Sequence, residues 1–174
     1  MTNLNNDINF YNIHKKLVDT QRDCFKLQMK NLKYQEGLLI MDFKENLKLG
    51  GGPREFPKEF YNKQPCSILG MCLIYCDKNG NIKKKYINYF SDILSHDGLF
   101  IRDCLSDLLT LSPIPKLTSL SIWTDNAKHF HSKEIGYCLL KDIPRRFSLK
   151  IQWNLFGEYH GKTLVDSHFS LLSR

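Results

Sequence analysis

Apolar and polar positions along this chain follow two periods, and the places where the period changes mark out its elements. Phe10, Ile13, Leu17, Cys24 and Leu27 recur at helical spacing, while Lys15, Lys16, Arg22, Lys26 and Lys30 fall mostly elsewhere on the same helix. This predicts an amphipathic helix running to about Lys33 after a frayed, Asn-rich start from Met1 to Asp7, packed on the sheet that follows. Leu38-Leu39-Ile40-Met41 then forms a continuous apolar run closed by Asp42. That is the pattern of a strand buried on both faces, with its acid at the carboxyl edge of the sheet, where open α/β sheets place their ligands.

Between Lys44 and Gln64 the pattern breaks, because Gly50-Gly51-Gly52-Pro53 and Pro57 forbid a long regular element. The glycines sit beside Lys48 and Arg54 but lack the GK[ST] ending of a P-loop, so a flexible connection is expected, with basic residues able to touch a nucleic-acid backbone. Cys66 to Cys76 and Ile82 to Phe90 read as two strands joined by an Asn79-Gly80 turn, a β-hairpin. Lys83-Lys84-Lys85 on its second arm reads as a solvated, edge-protecting face, with phosphate binding or nuclear import as the rival. Ser95 or Asp97 caps a helix carrying Ile101, Cys104, Leu105 and Leu108; His96 lies beside that cap. A strand from Leu117 to Trp123 runs into Asp125-Asn126, and Ser132 caps a helix with Ile135, Cys138 and Leu139 that Pro144 is expected to end. The last strand spans Phe147 to Phe156, with Leu149, Ile151, Trp153 and Leu155 alternating, and Leu164 to Arg174 closes the chain as a helix. Three consecutive strands followed by alternating helix and strand describe a mixed α/β sheet covered by helices.

Composition narrows the class. The chain has 174 residues, 42% hydrophobic and 25% charged, enough for one globular domain with a core. We expect residues 1–35 to form the polar tail and amphipathic helix, and residues 36–174 the core. Lys and Arg outnumber Asp and Glu by 25 to 18, and the resulting +7 biases the protein toward polyanions such as nucleic acid. Six cysteines include no CxxC pair, so neither a zinc ribbon nor a redox pair is indicated. Most lie in apolar stretches, and with no signal peptide at the start, buried free thiols in a reducing compartment are expected. No apolar run approaches the roughly 20 residues that span a bilayer, so no membrane partner is expected.

Asp42, Asp125 and then Glu158 or Asp166 each follow a strand, an arrangement that gathers acids at one sheet edge. Magnesium and manganese take oxygen ligands of this kind, and two such ions about 3.5–4 Å apart activate the attacking oxygen of a phosphodiester and stabilise the leaving one. An Asp after a strand is also a common turn or cap residue. His129 and His131 lack a matching Cys or acid cluster for zinc. No G-x-S-x-G elbow occurs, and the neighbours Ser167 and His168 do not face each other as nucleophile and base.

Leu38 to Asn46, preceded by Arg22 and Asn31-Leu32-Lys33, resembles the first catalytic strand of eukaryotic DDE/DDD-type DNA transposases and their domesticated relatives. The resemblance continues through His96-Asp97, Trp123-Thr124-Asp125-Asn126 and His160-Gly161-Lys162-x-x-x-Asp166, and spans about Arg22 to Arg174. It implies an RNase H-like mixed five-stranded sheet whose acids bind Mg2+ or Mn2+ for DNA cleavage and strand transfer. Asp42, Asp125 and Asp166 are then the metal ligands and catalytic acids, with Glu158 the competing third acid. His160 and Lys162 lie beside the scissile phosphate, Lys162 as a point charge on it. DNA as partner, self-assembly of the chain and a nuclear location follow from the same likeness. The chain departs from the family pattern in opening without a recognisable zinc-finger or helix-turn-helix module, and in stopping soon after Asp166, so a shortened last helix is expected. The alternative is a catalytically inactive, domesticated module that binds DNA or protein. A nuclease of this fold acting on RNA or hybrid duplexes is a third reading.

Overall fold

Every side chain in the run Leu38 to Met41 has apolar surroundings on its own side of a sheet, which makes this segment the middle of the molecule. A computed structural model of the chain describes residues 2–49, 64–94, 97–111, 114–157 and 164–172. Strand β1 (Glu36–Leu49) is flanked by β2 (Gln64–Cys76), antiparallel to it, and β4 (Ser119–Thr124), parallel to it. β3 (Ile82–Ser91) pairs antiparallel with β2 at one edge, and β5 (Lys150–Leu155) pairs parallel with β4 at the other. The order β3-β2-β1-β4-β5 is that of an RNase H-like α/β fold, with the mixed five-stranded sheet expected from the sequence.

Period-two alternation divides β1 between two cores. Leu39 and Met41 point into one with Leu69, Met71 and Ile122, covered by α2 (Gly98–Thr110) and by the segment that carries Ile135, Leu139 and Ile143. Leu38 and Ile40 point into the other with Ile68, Cys72, Ile74 and Trp123, covered by α1 (Thr2–Lys30) and by the helix after β5. Local chemistry sets the turns and caps. Asp77 Oδ1 accepts hydrogen bonds from the backbone N–H groups of Asn79 and Asn81, each at 2.9 Å, and Gly80 supplies the positive φ of 81° that the hairpin turn requires. Asp97 caps α2 by accepting from Phe100 N at 2.8 Å, and Ser132 caps α3 (Lys133–Tyr137) by accepting from Ile135 N at 3.2 Å. Lys83 and Lys84 lie exposed on β3, an edge strand, as an edge-protecting charge run does.

Four expectations need correction. First, the stretch expected to fray is helical from Thr2, α1 ends at Lys30, and it packs with a different face. Phe10 is 74% and Ile13 69% exposed, and Leu17 and Leu27 are exposed too, whereas Val18, Phe25, Met29 and Leu32 meet the core. Phe25 lies edge-on to Trp123 at 5.6 Å, Gln28 Oε1 accepts from Trp123 Nε1 at 2.9 Å, and Val18 occupies the space over Gly157. The buried stripe is interrupted by Gln21 and Gln28, so counting apolar residues selects its neighbour. Second, β1 continues past Asp42 to Leu49, because β2 keeps pairing with it through an irregularity between Lys44 and Leu47 after β4 has ended. Third, Pro144 starts a helical segment instead of ending one. A π-helical turn, Cys138–Asp142, widens the backbone, and Pro144 falls in the first turn of α4 (Ile143–Phe147), where a missing N–H costs nothing. Fourth, β5 starts at Lys150 and not Phe147, since Phe147 ends α4 and Ser148 turns the chain with φ at 51°.

The closing helix is α5 (Leu164–Leu172). All six cysteines are free; Cys24 is exposed and the other five are buried. Burial pushes the Cys72, Cys104 and Cys138 thiols up to about 11, 12 and 11. Among the described residues no helix is long and apolar enough to cross a membrane.

The two stripes of α1 differ in their expected effect on stability. Phe25→Ala should destabilise the fold by about 3 kcal/mol, at the lower end for a buried Phe. Ile13→Ala, on the exposed stripe, should stay within about 0.5 kcal/mol of the parent. Urea denaturation of the two variants checks the face assignment, which equal losses would refute.

Candidate functional site

Register alone brings two acids together. In the parallel pairing of β1 with β4, Ile40 lies opposite Trp123 and Met41 opposite Thr124, and Leu38, Ile40 and Trp123 all face the α1 side of the sheet. The next side chains toward that face are Asp42 and Asp125. Thr124, fully buried, holds the end of β4. Its hydroxyl accepts from Trp153 Nε1 at 3.1 Å, and its carbonyl accepts from Phe156 N at 2.8 Å. Asp125 Oδ1 accepts from Ala127 N at 3.2 Å, which fixes the turn beyond the strand, and Asn126 Oδ1 lies 2.7 Å from His131 Nε2.

Asp166 arrives on α5, which lies across the same face. Val165 and Phe169 are buried there with Ile68 and Cys72, and between them Asp166 hydrogen-bonds to Asp42. Burial raises the pKa of Asp42 most, the charges of Asp125 and Asp166 raise it further, and the Phe43 backbone hydrogen bond opposes them. The net effect lifts the Asp42 carboxyl from 3.8 to about 8. Burial and its acidic neighbours thus hold the Asp42 proton well above the usual carboxylate range.

The structure thus unites Asp42, Asp125 and Asp166. Glu158, His160, Lys162, Arg54 and His96 lie outside the described residues, as does the side chain of Lys48, whose backbone pairs with Pro65 in β1. Three participants were missed by sequence reasoning. Lys44, two residues beyond Asp42 on the same face, sends its Nζ to the Phe169 carbonyl at 3.2 Å and lies 5.7 Å from that ring's centroid. His168 stacks on Tyr86 at 4.7 Å, and its Nε2 lies 2.9 Å from Asn88 Nδ2. Gly70 faces Asp42 across β2, and a glycine interrupting an apolar strand is a legible sign of close approach.

Oxygen-only donors suit a hard divalent cation, and a proton held between carboxylates is what such a cation would displace. Among the described residues no group of three or more His, Cys, Asp or Glu side chains is arranged to hold a metal ion. Magnesium commonly binds through one or two carboxylates and completes its shell with water and substrate, and the oxygen-only chemistry of Asp42, Asp125 and Asp166 is compatible with that.

In the unfolded chain Asp42 ionises near 3.8 and in the folded one near 8, so the folded state binds the extra proton between these values. Its contribution to stability is fully present below pH 3.8, falls as pH rises, and is lost above about 8. Asp42→Asn should flatten that part of the metal-free stability profile. It should also raise Tm at pH 9 relative to the parent by a few degrees, on the scale of about 2–4 °C per kcal/mol for a chain of this size. Thermal melts of both proteins from pH 4 to 9 check this, and parallel profiles would refute it.

Solved structures that resemble the chain distantly include the following two. LC9-RNase H1, described as a type 1 RNase H with the type 2 active-site motif, is 11% identical over 81% of this chain and 72% of its own, with a TM-score of 0.46. The Mos1 strand transfer complex is 11% identical over 90% of this chain and 48% of its own, with a TM-score of 0.41, so this chain spans about half of that protein. No curated protein matches the chain. A family does match, over residues 21–172, and its description assigns no activity. The chain belongs to that family, the Domain of unknown function (DUF8701).

Proposed function

We propose that this chain cleaves phosphodiesters in DNA with the help of Mg2+ or Mn2+, in the transposase manner of strand cleavage and transfer. The observation that carries the reading is the placing of Asp42 and Asp125 on one face where the pairing of β1 with β4 ends, with Asp166 of α5 hydrogen-bonded to Asp42. A fold gains nothing in stability by crowding three carboxylates at one buried position, and strongly perturbed acids in such a place are functional candidates.

Asp42, Asp125 and Asp166 are the ligand set. A divalent cation held by them supplies Lewis-acid polarisation of the phosphodiester and a lowered pKa for the attacking hydroxyl or water. To serve as an oxygen ligand Asp42 would have to lose its proton to solvent, which its raised pKa makes pH-dependent. Asp125 is held in place by the turn to Ala127, and Asp166 by the docking of α5. Lys162 and His160 are assigned to the phosphate on the strength of the motif that contains them, and Lys48 and Arg54 to the DNA backbone. The excess of 25 Lys and Arg over 18 Asp and Glu favours a polyanionic substrate. Self-assembly and a nuclear location belong to the same proposal.

The non-catalytic alternative, a module that binds DNA or a protein partner, is favoured by the lack of a preformed three-ligand group among the described residues. Cleavage of end-labelled DNA separates the two. With Mg2+ or Mn2+ the parent should cut, and Asp42→Asn, Asp125→Asn and Asp166→Asn should each lose at least about 100-fold, the scale of losing one charge-stabilising group. Equal cutting by parent and variants would sink the site assignment. Absence of cutting by a parent that still binds DNA would establish the alternative.

A further inference from the structure

Asp42, Gly70 and Asn88 form one transverse row of the sheet, since Asp42 pairs with Gly70 and Gly70 with Asn88. α5 lies along this row. Its Asp166 meets Asp42 at one end, and His168 meets Asn88 at the other, where it also stacks on Tyr86. Over the middle of the row sit Val165 and Phe169, against a residue with no side chain. A Cβ on Gly70 would fall within 2.7 Å of both the Phe169 ring and a Val165 methyl, closer than real packing allows. Lys44 adds a tether from β1 to the Phe169 carbonyl near the far end of the helix.

We propose that Gly70 is a positioning residue, whose missing side chain sets the height of α5 above the sheet and so brings Asp166 into contact with Asp42. A glycine in mid-strand forfeits apolar burial and conformational bias, and at this position what it gains is close approach of the helix that carries the third acid. The row acts as a ruler. Asn88 fixes one end through His168, Gly70 fixes the height, and Asp166 is left opposite Asp42. The seating is a property of the metal-free chain, while its consequence for cation binding rests on the function proposed above.

The test compares the full-length parent with Gly70→Ala, Phe169→Ala and the double variant Gly70→Ala/Phe169→Leu. Amide hydrogen exchange is read without metal, and paramagnetic broadening of amide signals is read with Mn2+. In Gly70→Ala, α5 amides should exchange at least about tenfold faster while β1 and β4 stay protected, a local opening and not a global one. Mn2+ should still broaden the signals of Asp42 and Asp125 but no longer that of Asp166. Trimming the ring in the double variant should restore both, a rescue that general destabilisation would not produce. Parental exchange and broadening in Gly70→Ala overturn the proposal. If that variant does not fold, Phe169→Ala removes the seated ring without adding an atom, and an unchanged Asp166 signal there overturns it equally. Should Mn2+ broaden none of the three acids in the parent, the cation reading falls, and exchange in α5 alone decides whether the seat is real.

Discussion

Pairing of β1 on both sides is the constraint on which the rest of the structure depends. A strand with neighbours on each edge and helices on each face has no water anywhere along its middle, so its backbone is satisfied by β2 and β4 and its side chains by two apolar layers. The polar group that ends this buried segment has lost most of its hydration. Among the described residues Asp42 recovers a backbone hydrogen bond at Phe43 and meets two more acids, Asp125 and Asp166. The result is a carboxyl whose proton is held well above the ordinary range.

The two faces of the sheet divide the work. On the α2 side, aliphatic residues from β1, β2, β4, α2 and the segment from α3 to α4 interlock, and polar contacts such as Tyr89 with Asp107 at 2.7 Å lie at its periphery. On the α1 side the core is smaller, and polar residues reach into it: Gln28 to Trp123, His168 to Asn88, and Lys44 to α5. A smaller core with more directional contacts holds side chains at defined angles, which a site requires more than it requires stability.

What was legible in the sequence follows from which signals are local. The apolar run before Asp42, the Asn79-Gly80 turn, and the caps at Asp97 and Ser132 are each written within a few residues, and the structure has them all. That Asp42 and Asp125 close apolar runs on neighbouring strands was legible from strand order, whereas Asp166, on a helix, was preferred to Glu158 only through the family resemblance. The face of α1 was not legible, because two glutamines lie in the buried stripe and apolar residues such as Phe10 and Ile13 lie on the exposed side. Pro144 misled because a π-helical turn can precede a proline without breaking the path of the chain. Gly70 was legible as a mark of close approach but not what approaches it, and the Lys44 tether was not legible at all, because both depend on α5 reaching residues about a hundred positions or more away in the chain, far beyond the range over which local periodicity carries information.

The free cysteines have a practical side. With five thiols inside the fold, three of them too basic to form thiolates near neutral pH, the native protein presents Cys24 on α1 as its accessible sulfur. A maleimide dye or spin label would therefore report from the solvent side of α1 beside the docked Phe25, leaving the buried thiols untouched, a ready vantage point from which to watch the domain meet other molecules.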